Sequence, residues 1–264
     1  MVNMIPPQVV SPPEPRGLRY GLLTAANGPL SLPAPHGLAG GVTYTPVGCG
    51  IAHMYDAVCH TEAASKEFDA GEATVERESF VAYASILCGS AGTTPAQLED
   101  RVRRRLTDGE QTVAEAGMAT ILAAGATPLV PPVTTSLPAV VGELEQWLYG
   151  QTPGDAGYGY LGYLHTSPRI AAYATEDGLV VRDGQVLRTQ LGTVWVFGGG
   201  YPDDGTIYIS GQVTVWRSDD VFVTPGASAF NRNTNQYTLL AEREYAVSYD
   251  CVAASAAFDW QPQS

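Results

Sequence analysis

Apolar and polar positions divide the chain into an extended beginning, a helical middle and a strand-rich end. The clearest helix pattern opens at Thr94, with Pro95 at the first helical position and Gln97 three residues past the cap. That is a capping-box arrangement, in which cap and third residue satisfy each other's backbone donors. Leu98, Val102 and Leu106 then recur at a spacing of four and give one apolar stripe. Asp108-Gly109 loosens the middle. Val113, Met118 and Ile121 continue the pattern to about Ala124, and Gly125 is a stop signal. A second amphipathic helix is predicted over 137–149 from Val140, Val141, Leu144, Trp147 and Leu148, and a short third over 167–173.

The strand signals lie on either side. Acidic and polar residues over 67–78 precede the run 80–88, rich in strand formers, and predict a hairpin or long bent strand pair over 66–88. Val180–Arg182 and Val186–Arg188 flank Asp183-Gly184, a hairpin signal. Residues 193–197 read as a buried strand that runs into Gly198-Gly-Gly200. Beyond them, 207–216, 221–224 and 237–249 read as three further strands, with an Asn-rich loop over 231–235. Residues 1–48 carry Pro6, Pro7, Pro12, Pro13, Pro15, Pro29, Pro33 and Pro35, so no helix of any length forms there and an extended arm is expected. Such an arm buries no core of its own, and a neighbouring subunit is a natural surface for it. Pro128, Pro131 and Pro132 mark a boundary, and no repeat of solenoid period is present.

Composition narrows the function. The 264 residues are enough for one large domain or two small ones. No apolar run approaches the ~20 residues that span a bilayer. The start, Met1-Val-Asn-Met-Ile, lacks the basic and apolar regions of a signal peptide, so a cytoplasmic product is expected. The net charge of −13 argues against a simple electrostatic nucleic-acid binder, because phosphate neutralisation needs clustered cations. It suits a soluble particle, or a shell that encloses DNA without adhering to it. Lys66 is the sole lysine; the other cations are arginines, which favour bidentate, partly buried carboxylate pairs.

No residue cluster makes a convincing catalytic centre. Cys49, His53, Cys59 and His60 have ligand chemistry, but their spacing is unlike that of paired zinc ligands. Cys49, Cys59, Cys88 and Cys251 are expected to be small packing residues with reduced thiols. A Cys–His hydrolase using Cys88 or Cys251 with His165 is the alternative of another class. The triglycine 198–200 lacks the spacing of a phosphate loop and opens no helix. Arg101, Arg103, Arg104 and Arg105 on the first long helix are candidates for pairing with the acidic stretch 67–78, notably Glu72, Glu76 and Glu78, across a subunit boundary.

The order of these elements resembles the Hong Kong 97 (HK-97) α+β fold of tailed-phage major capsid proteins, which encapsulins share. Gly41-Val-Thr-Tyr44 with Cys49-Gly50, Phe80-Val-Ala-Tyr83 with Cys88-Gly89, and Arg103-Arg-Arg-Leu106 with Gly109-Glu-Gln111 carry the resemblance. Thr189-x-Leu-Gly-Thr193 and Ala241-Glu-Arg-Glu-Tyr-Ala-Val247 complete it, and it is greatest to phages of high-GC actinobacteria. It implies an N-arm over 1–48, an E-loop with flanking strands over 49–92 and a spine helix over 93–127. It implies an axial domain over 128–204, peripheral-domain strands over 205–250 and a C-terminal segment over 251–264. The implied function is non-enzymatic: self-assembly through hexamers and pentamers into an icosahedral virion shell around double-stranded DNA, without sequence-specific contacts or cofactor. Assembly would take place in the host cytoplasm, with scaffold, portal or cement proteins as further partners and no membrane. An encapsulin-like or minor shell protein of the same fold is the near alternative. Some members of that family cross-link Lys to Asn; here Lys66 and Asn231, Asn233 and Asn235 are the residues of those types, without a matching motif.

Overall fold

The computed structural model describes residues 19–32, 37–47, 49–50, 73–89, 92–129, 136–150, 154–226 and 228–259. In chain order the first elements are α1 (Leu22–Ala25), β1 (Asn27–Leu32), β2 (Val42–Tyr44), β3 (Val75–Arg77) and β4 (Phe80–Gly89). The long helix α2 (Pro95–Gly125), the short β5 (Thr127–Pro128) and α3 (Leu137–Tyr149) follow. Next come β6 (Tyr163–Thr166), α4 (Pro168–Glu176), β7 (Val181–Asp183), β8 (Val186–Arg188), β9 (Val194–Phe197) and β10 (Thr206–Ser210). The chain closes with β11 (Val213–Ser218), β12 (Phe222–Val223), β13 (Phe230–Asn231), β14 (Gln236–Tyr249) and β15 (Ala253–Ala257).

The start of α2 forms as its sequence requires. Thr94 Oγ1 accepts from Gln97 N at 3.3 Å, and Gln97 Oε1 accepts from Thr94 N at 3.0 Å. The helix runs unbroken through Asp108-Gly109, which the sequence pattern marks as weak. Tertiary packing overrides the local glycine cost of about 1 kcal/mol. Leu98, Val102, Leu106, Glu110, Ala114, Met118 and Leu122 form a buried row at a spacing of four. Such a row drifts round a helix of 3.6 residues per turn, so the buried face rotates along the length of α2. The first half meets the sheet of β4 and β14; in the second half Glu115 and Ala119 are also buried, beneath α1 and the 198–200 loop. Truncating Leu98 or Leu122 to Ala would cost about 2–5 kcal/mol.

Among the described residues there are two large sheets. In the first, β14 carries β4 along one edge, and β13, β12 and β11 in succession along the other; β1 adds to β11 in parallel. The second has the order β5-β15-β10-β6-β9-β8-β7 and takes both β6 and β9 buried at every position. Its alternate residues feed two cores. Tyr163, Val194 and Val196 face the core beneath α2, whereas Leu164, Trp195, Phe197, Ile207 and Ile209 face the core with α3 and α4. Burial on both faces explains why 193–197 reads as a continuous apolar run.

Within 1–48, read as a helix-free extended arm, Leu22–Ala25 form α1 with Leu22 fully buried, and β1 joins the first sheet, because apolar Leu22 and Leu23 find a core that the local proline pattern does not show. Two further expected elements change shape. The 207–216 run is one extended stretch split between sheets: β10 lies in the second and β11 in the first, with Gly211-Gln212 as the crossing. The link 250–252 between β14 and β15 crosses beside it in the opposite direction, held by Asp250 N to Gln212 O at 2.9 Å and Gly211 N to Val252 O at 3.0 Å. Ser210 faces Ala253 and Val213 faces Tyr249, so the return strand holds one residue more, a bulge. Its Cys251 sits at φ 63°, and Gly211 leaves no room for a Cβ, which would lie 2.2 Å from Asp250 O. Residues from 205–250 and from 251–264 therefore both contribute to the second sheet. The other change concerns 66–88: residues up to 72 lie outside the described residues, and β3 pairs antiparallel with β2, not with β4. The hairpin signal near 183–184 holds, with β7 and β8 joined over Gly184-Gln185.

Candidate functional site

The buried polar groups of this protein serve its own architecture. Glu110, on α2, accepts from Arg243 Nη1 at 2.9 Å and stands 3.5 Å from Arg217 Nη1. These two arginines come from β14 and β11, so one carboxylate ties the helix to neighbouring strands. Tyr245 is fully buried beside it, and burial together with the Glu110 charge pushes its phenol up to about 12.

Glu115 is fully buried and clamps three segments. It accepts from Leu22 N in α1 at 3.2 Å and from Gly200 N after β9 at 3.1 Å. Burial raises its carboxyl above the usual value, against the opposing pull of the Gly200, Leu22 and Gly199 backbone. The triglycine 198–200 is thus an anion cradle whose anion belongs to the same chain. A Cβ at Gly200 would lie 2.3 Å from Thr112 O, so the loop rests directly on α2.

The Thr189–Thr193 segment is a tight loop, closed by Thr189 N to Thr193 O at 2.8 Å. Both threonine hydroxyls donate to Glu145 Oε1 of α3, each at 2.6 Å. Tyr149 OH and Thr193 Oγ1 meet at 3.0 Å. Because the Thr193 proton goes to Glu145, Tyr149 is the donor there.

His165 is fully buried, with Nδ1 2.9 Å from Tyr201 OH and Nε2 3.0 Å from Ser210 Oγ. Ser210 Oγ donates to Gly211 O at 3.0 Å, so it accepts from the ring and the network sets the Nε2–H tautomer. Desolvation drops the ring to about 3. Both nitrogens are committed, which removes His165 from the Cys–His hydrolase alternative.

The cysteines correct the sequence reading. Cys49 and Cys251 form a disulfide, where reduced packing thiols are expected from sequence. Spacing could not reveal it, since 202 residues separate them and only the fold brings the second strand pair beside the crossing. Cys251 is thereby excluded as a nucleophile and Cys49 as a thiolate ligand. His53, Cys59 and His60 lie outside the described residues, and no group of three or more His, Cys, Asp or Glu suited to a metal occurs among the described ones. Cys88 is a free thiol, half-buried on β4 opposite Tyr237.

The four arginines of α2 do not form one patch. At roughly 100° per residue, Arg103 and Arg105 fall on opposite flanks of the Val102–Leu106 stripe and Arg104 points directly away from it. Arg105 Nη1 donates to Ser85 O of the same chain at 2.7 Å. Arg103 lines an open groove of about 770 Å³ with Glu99, Asp219, Phe222 and Glu242. Arg101 and Arg104 are exposed and form no ion pair among the described residues. Glu76 and Glu78 are exposed on and just after β3, and Glu72 lies outside the described residues, as does Lys66. Asn231 at the end of β13, and Asn233 and Asn235 in the tight loop from β13 to β14, are exposed; Asn231 Oδ1 accepts from Asn233 N at 3.0 Å and Asn235 has φ 54°.

The remaining conspicuous surface is the outer row of β4. Val81, Tyr83 and Leu87 are 48%, 66% and 66% exposed, on a strand with one edge unpaired among the described residues. Apolar side chains on an open edge invite a partner chain. The β2–β3 ribbon docks at the far end of β14: Tyr44 OH meets Ser248 Oγ at 2.7 Å and donates to Tyr249 O at 3.1 Å. Arg77 Nε donates to Ser248 Oγ at 3.1 Å, and its guanidinium lies 5.5 Å over the Tyr249 ring.

Sequence comparison matches no protein family and no curated protein. Structure comparison matches the capsid of a native GTA particle, with TM-score 0.58 and 10% identity over 97% of this chain and 96% of that one. Gordonia phage Cozz matches with TM-score 0.56 and 12% identity over 96% and 91% of the two chains. The capsid of Ralstonia phage GP4 gives 0.53 and 11% over 99% and 98%. The protein has the α+β HK-97-type capsid fold.

Proposed function

We propose that this chain is the major capsid protein of a tailed double-stranded DNA bacteriophage, building a closed icosahedral shell from copies of itself. The observation that carries the reading is likeness over nearly the whole length of both chains: the match covers 97% of this one and 96% of the GTA capsid chain. The arrangement of polar groups supports it. Glu110, Glu115, Glu145 and His165 are buried and committed to internal partners, while the exposed features are strand edges, charged helix flanks and an apolar row.

In this reading α2 is the spine helix, and the β14 sheet with its Asn-rich loop is the peripheral domain. The β9 sheet with α3 and α4 is the axial domain, to which β10 and β15 contribute from later in the chain. The β2–β3 ribbon is the root of the E-loop, and residues before α1 form the N-arm. Arg101, Arg103 and Arg104 are contacts for a neighbouring subunit, with Glu76 and Glu78 as partners. The enclosed DNA is held without sequence-specific contacts, and the completed shell is the virion head.

The test is size-exclusion chromatography with negative-stain microscopy of the purified chain. Closed particles tens of nanometres across are expected; a monomer or small ring at all concentrations would overturn the reading.

A further inference from the structure

We infer that the pocket between the chain just before α1 and the tip of the β7–β8 hairpin binds a phosphate group. The inference rests on the capsid reading only for the source of that phosphate, the backbone of the enclosed DNA. The pocket measures about 360 Å³ and is lined by Arg19, Tyr20, Thr24, Arg182, Gly184 and Gln185. Two of these six are arginines and none is acidic, in a chain with 27 acidic residues against 14 cations. The carboxylates nearest in sequence or space are engaged elsewhere. Asp183 Oδ2 accepts from Arg188 Nε at 2.8 Å. Glu115, beneath Gly21, gives one oxygen to Leu22 N and the other to Gly200 N.

Both pocket arginines are exposed, and neither has an ion pair among the described residues. Arg182 spends only Nε, on Gly184 O at 3.4 Å, which leaves both Nη groups for a ligand. The backbone beneath each arginine is held. Tyr20 O accepts from Phe197 N at 3.1 Å, which pins the residue after Arg19 to the end of β9. Arg182 lies within β7, opposite Leu187 of β8. Tyr20 also has φ 65°, a left-handed conformation that a bulky residue rarely adopts and that surrounding structure must enforce. Strain of this kind clusters where a fold positions groups for a ligand.

The donor set selects the ligand class. One guanidinium fork satisfies the two coplanar oxygens of a carboxylate. Here two forks come from segments far apart in sequence, and Tyr20, Thr24 and Gln185 can add hydroxyl and amide donors. That surplus suits a tetrahedral oxyanion with oxygens on several sides. A net charge of −13 repels DNA over most of the surface, so a phosphate contact needs a local concentration of cations such as this one. A contact to phosphate carries no sequence information, in keeping with a shell that packages any sequence.

The test uses the purified full-length chain. Phosphorus NMR follows inorganic phosphate, with sodium chloride or sodium acetate added at equal ionic strength. The wild type should broaden the phosphate line, and Arg19→Gln and Arg182→Gln should each remove most of the broadening while melting as the wild type does. No broadening, or broadening that both variants keep, overturns the site. Displacement by acetate well beyond that by chloride would make it a carboxylate site for another protein surface, and overturns the phosphate assignment. The second measurement is anisotropy of a short labelled DNA duplex. Each variant should bind it several-fold more weakly, with a salt dependence of log K shallower by about one. Phosphate broadening with duplex binding unchanged in the variants supports the site with free phosphate as its source. A chain that passes both measurements yet forms no closed particle keeps the site and loses the capsid reading; closed particles without either effect do the reverse.

Discussion

Glu110 Oε2 and Arg243 Nη1 meet at 2.9 Å with their side chains 6% and 13% exposed, so the long helix and the longest strand are joined by an ion pair largely shut off from water. Removing Glu110 strands Arg243, and removing Arg243 leaves Glu110 only the longer 3.5 Å contact with Arg217. Arg243→Ala is expected to destabilise the subunit by about 3–5 kcal/mol, whereas Glu110→Leu with Arg243→Met should cost far less than the single changes summed. Denaturant titration of the four species gives the coupling; additive effects would show that the pair is not linked.

The clamp at Glu115 predicts a steric and a titration effect. Gly200→Ala places a Cβ against backbone of α2 and should destabilise by several kcal/mol, on the order of a strained core substitution. Glu115 has a folded pKa above its unfolded one, so the folded state holds the proton more tightly. The corresponding stability is fully present below the unfolded value and is lost as pH rises through the folded value. The wild type should therefore lose stability relative to Glu115→Gln over that rise, as followed by melting temperature against pH. Parallel curves would remove Glu115 as the source.

His165 works in the other direction. Its ring is neutral when folded, with a pKa of about 3 against 6.5 for the free side chain. Its stability contribution is fully present above about 6.5 and is lost as pH falls toward 3, at up to about 1.4 kcal/mol per pH unit. His165→Gln should flatten this part of the acid-denaturation profile, at some cost in stability near neutrality. An unchanged acid limb would assign the acid sensitivity to other groups.

Arg104 points straight out from α2, and Glu76 is exposed on β3. Arg104→Glu should slow or abolish shell formation while leaving the melting of the isolated subunit within about 0.5 kcal/mol of wild type. Glu76→Arg in the same chain should restore part of the assembly, as read by light scattering. A rim pair contributes only about 0–1 kcal/mol, but a shell repeats it at every equivalent contact.

A truncation tests the proposed N-arm. Leu22 is fully buried and its N–H engages Glu115, so deletion beyond residue 21 breaks the fold itself. Deleting residues 1–18 should leave a folded subunit with unchanged melting that fails to close shells. Normal particles from this truncation would show that the arm is dispensable.

Much of the fold was legible where a signal is local. The Thr94-Pro95-Gln97 box fixed the start of α2, and the apolar row over 140–148 gave α3 its bounds. What escaped was decided by contacts distant in sequence. Gly211 reads as part of a strand run, and only the neighbouring Asp250 carbonyl shows why the stretch changes sheet there. The triglycine reads as a plain loop because its anion, Glu115, lies 85 residues before Gly200. The four arginines of 101–105 group in sequence as candidates for one acidic stretch, yet helical geometry divides them among two flanks and the outer side. Cys49 and Cys251 carry no pairing signal at all, since they meet only once the β2–β3 ribbon docks on the end of β14.

The side-by-side crossing at 211–212 and 250–252 also has a mechanical consequence. Two antiparallel links bonded edge to edge behave as a flat strap. A strap flexes readily about the axis lying in its plane across the links, and resists shear and torsion because these would slide one link past the other and break both backbone bonds at once. The core beneath α2 takes Val194 and Val196 from one sheet and Val215 and Leu239 from the other, so strap and core together oppose any sliding of the sheets past each other.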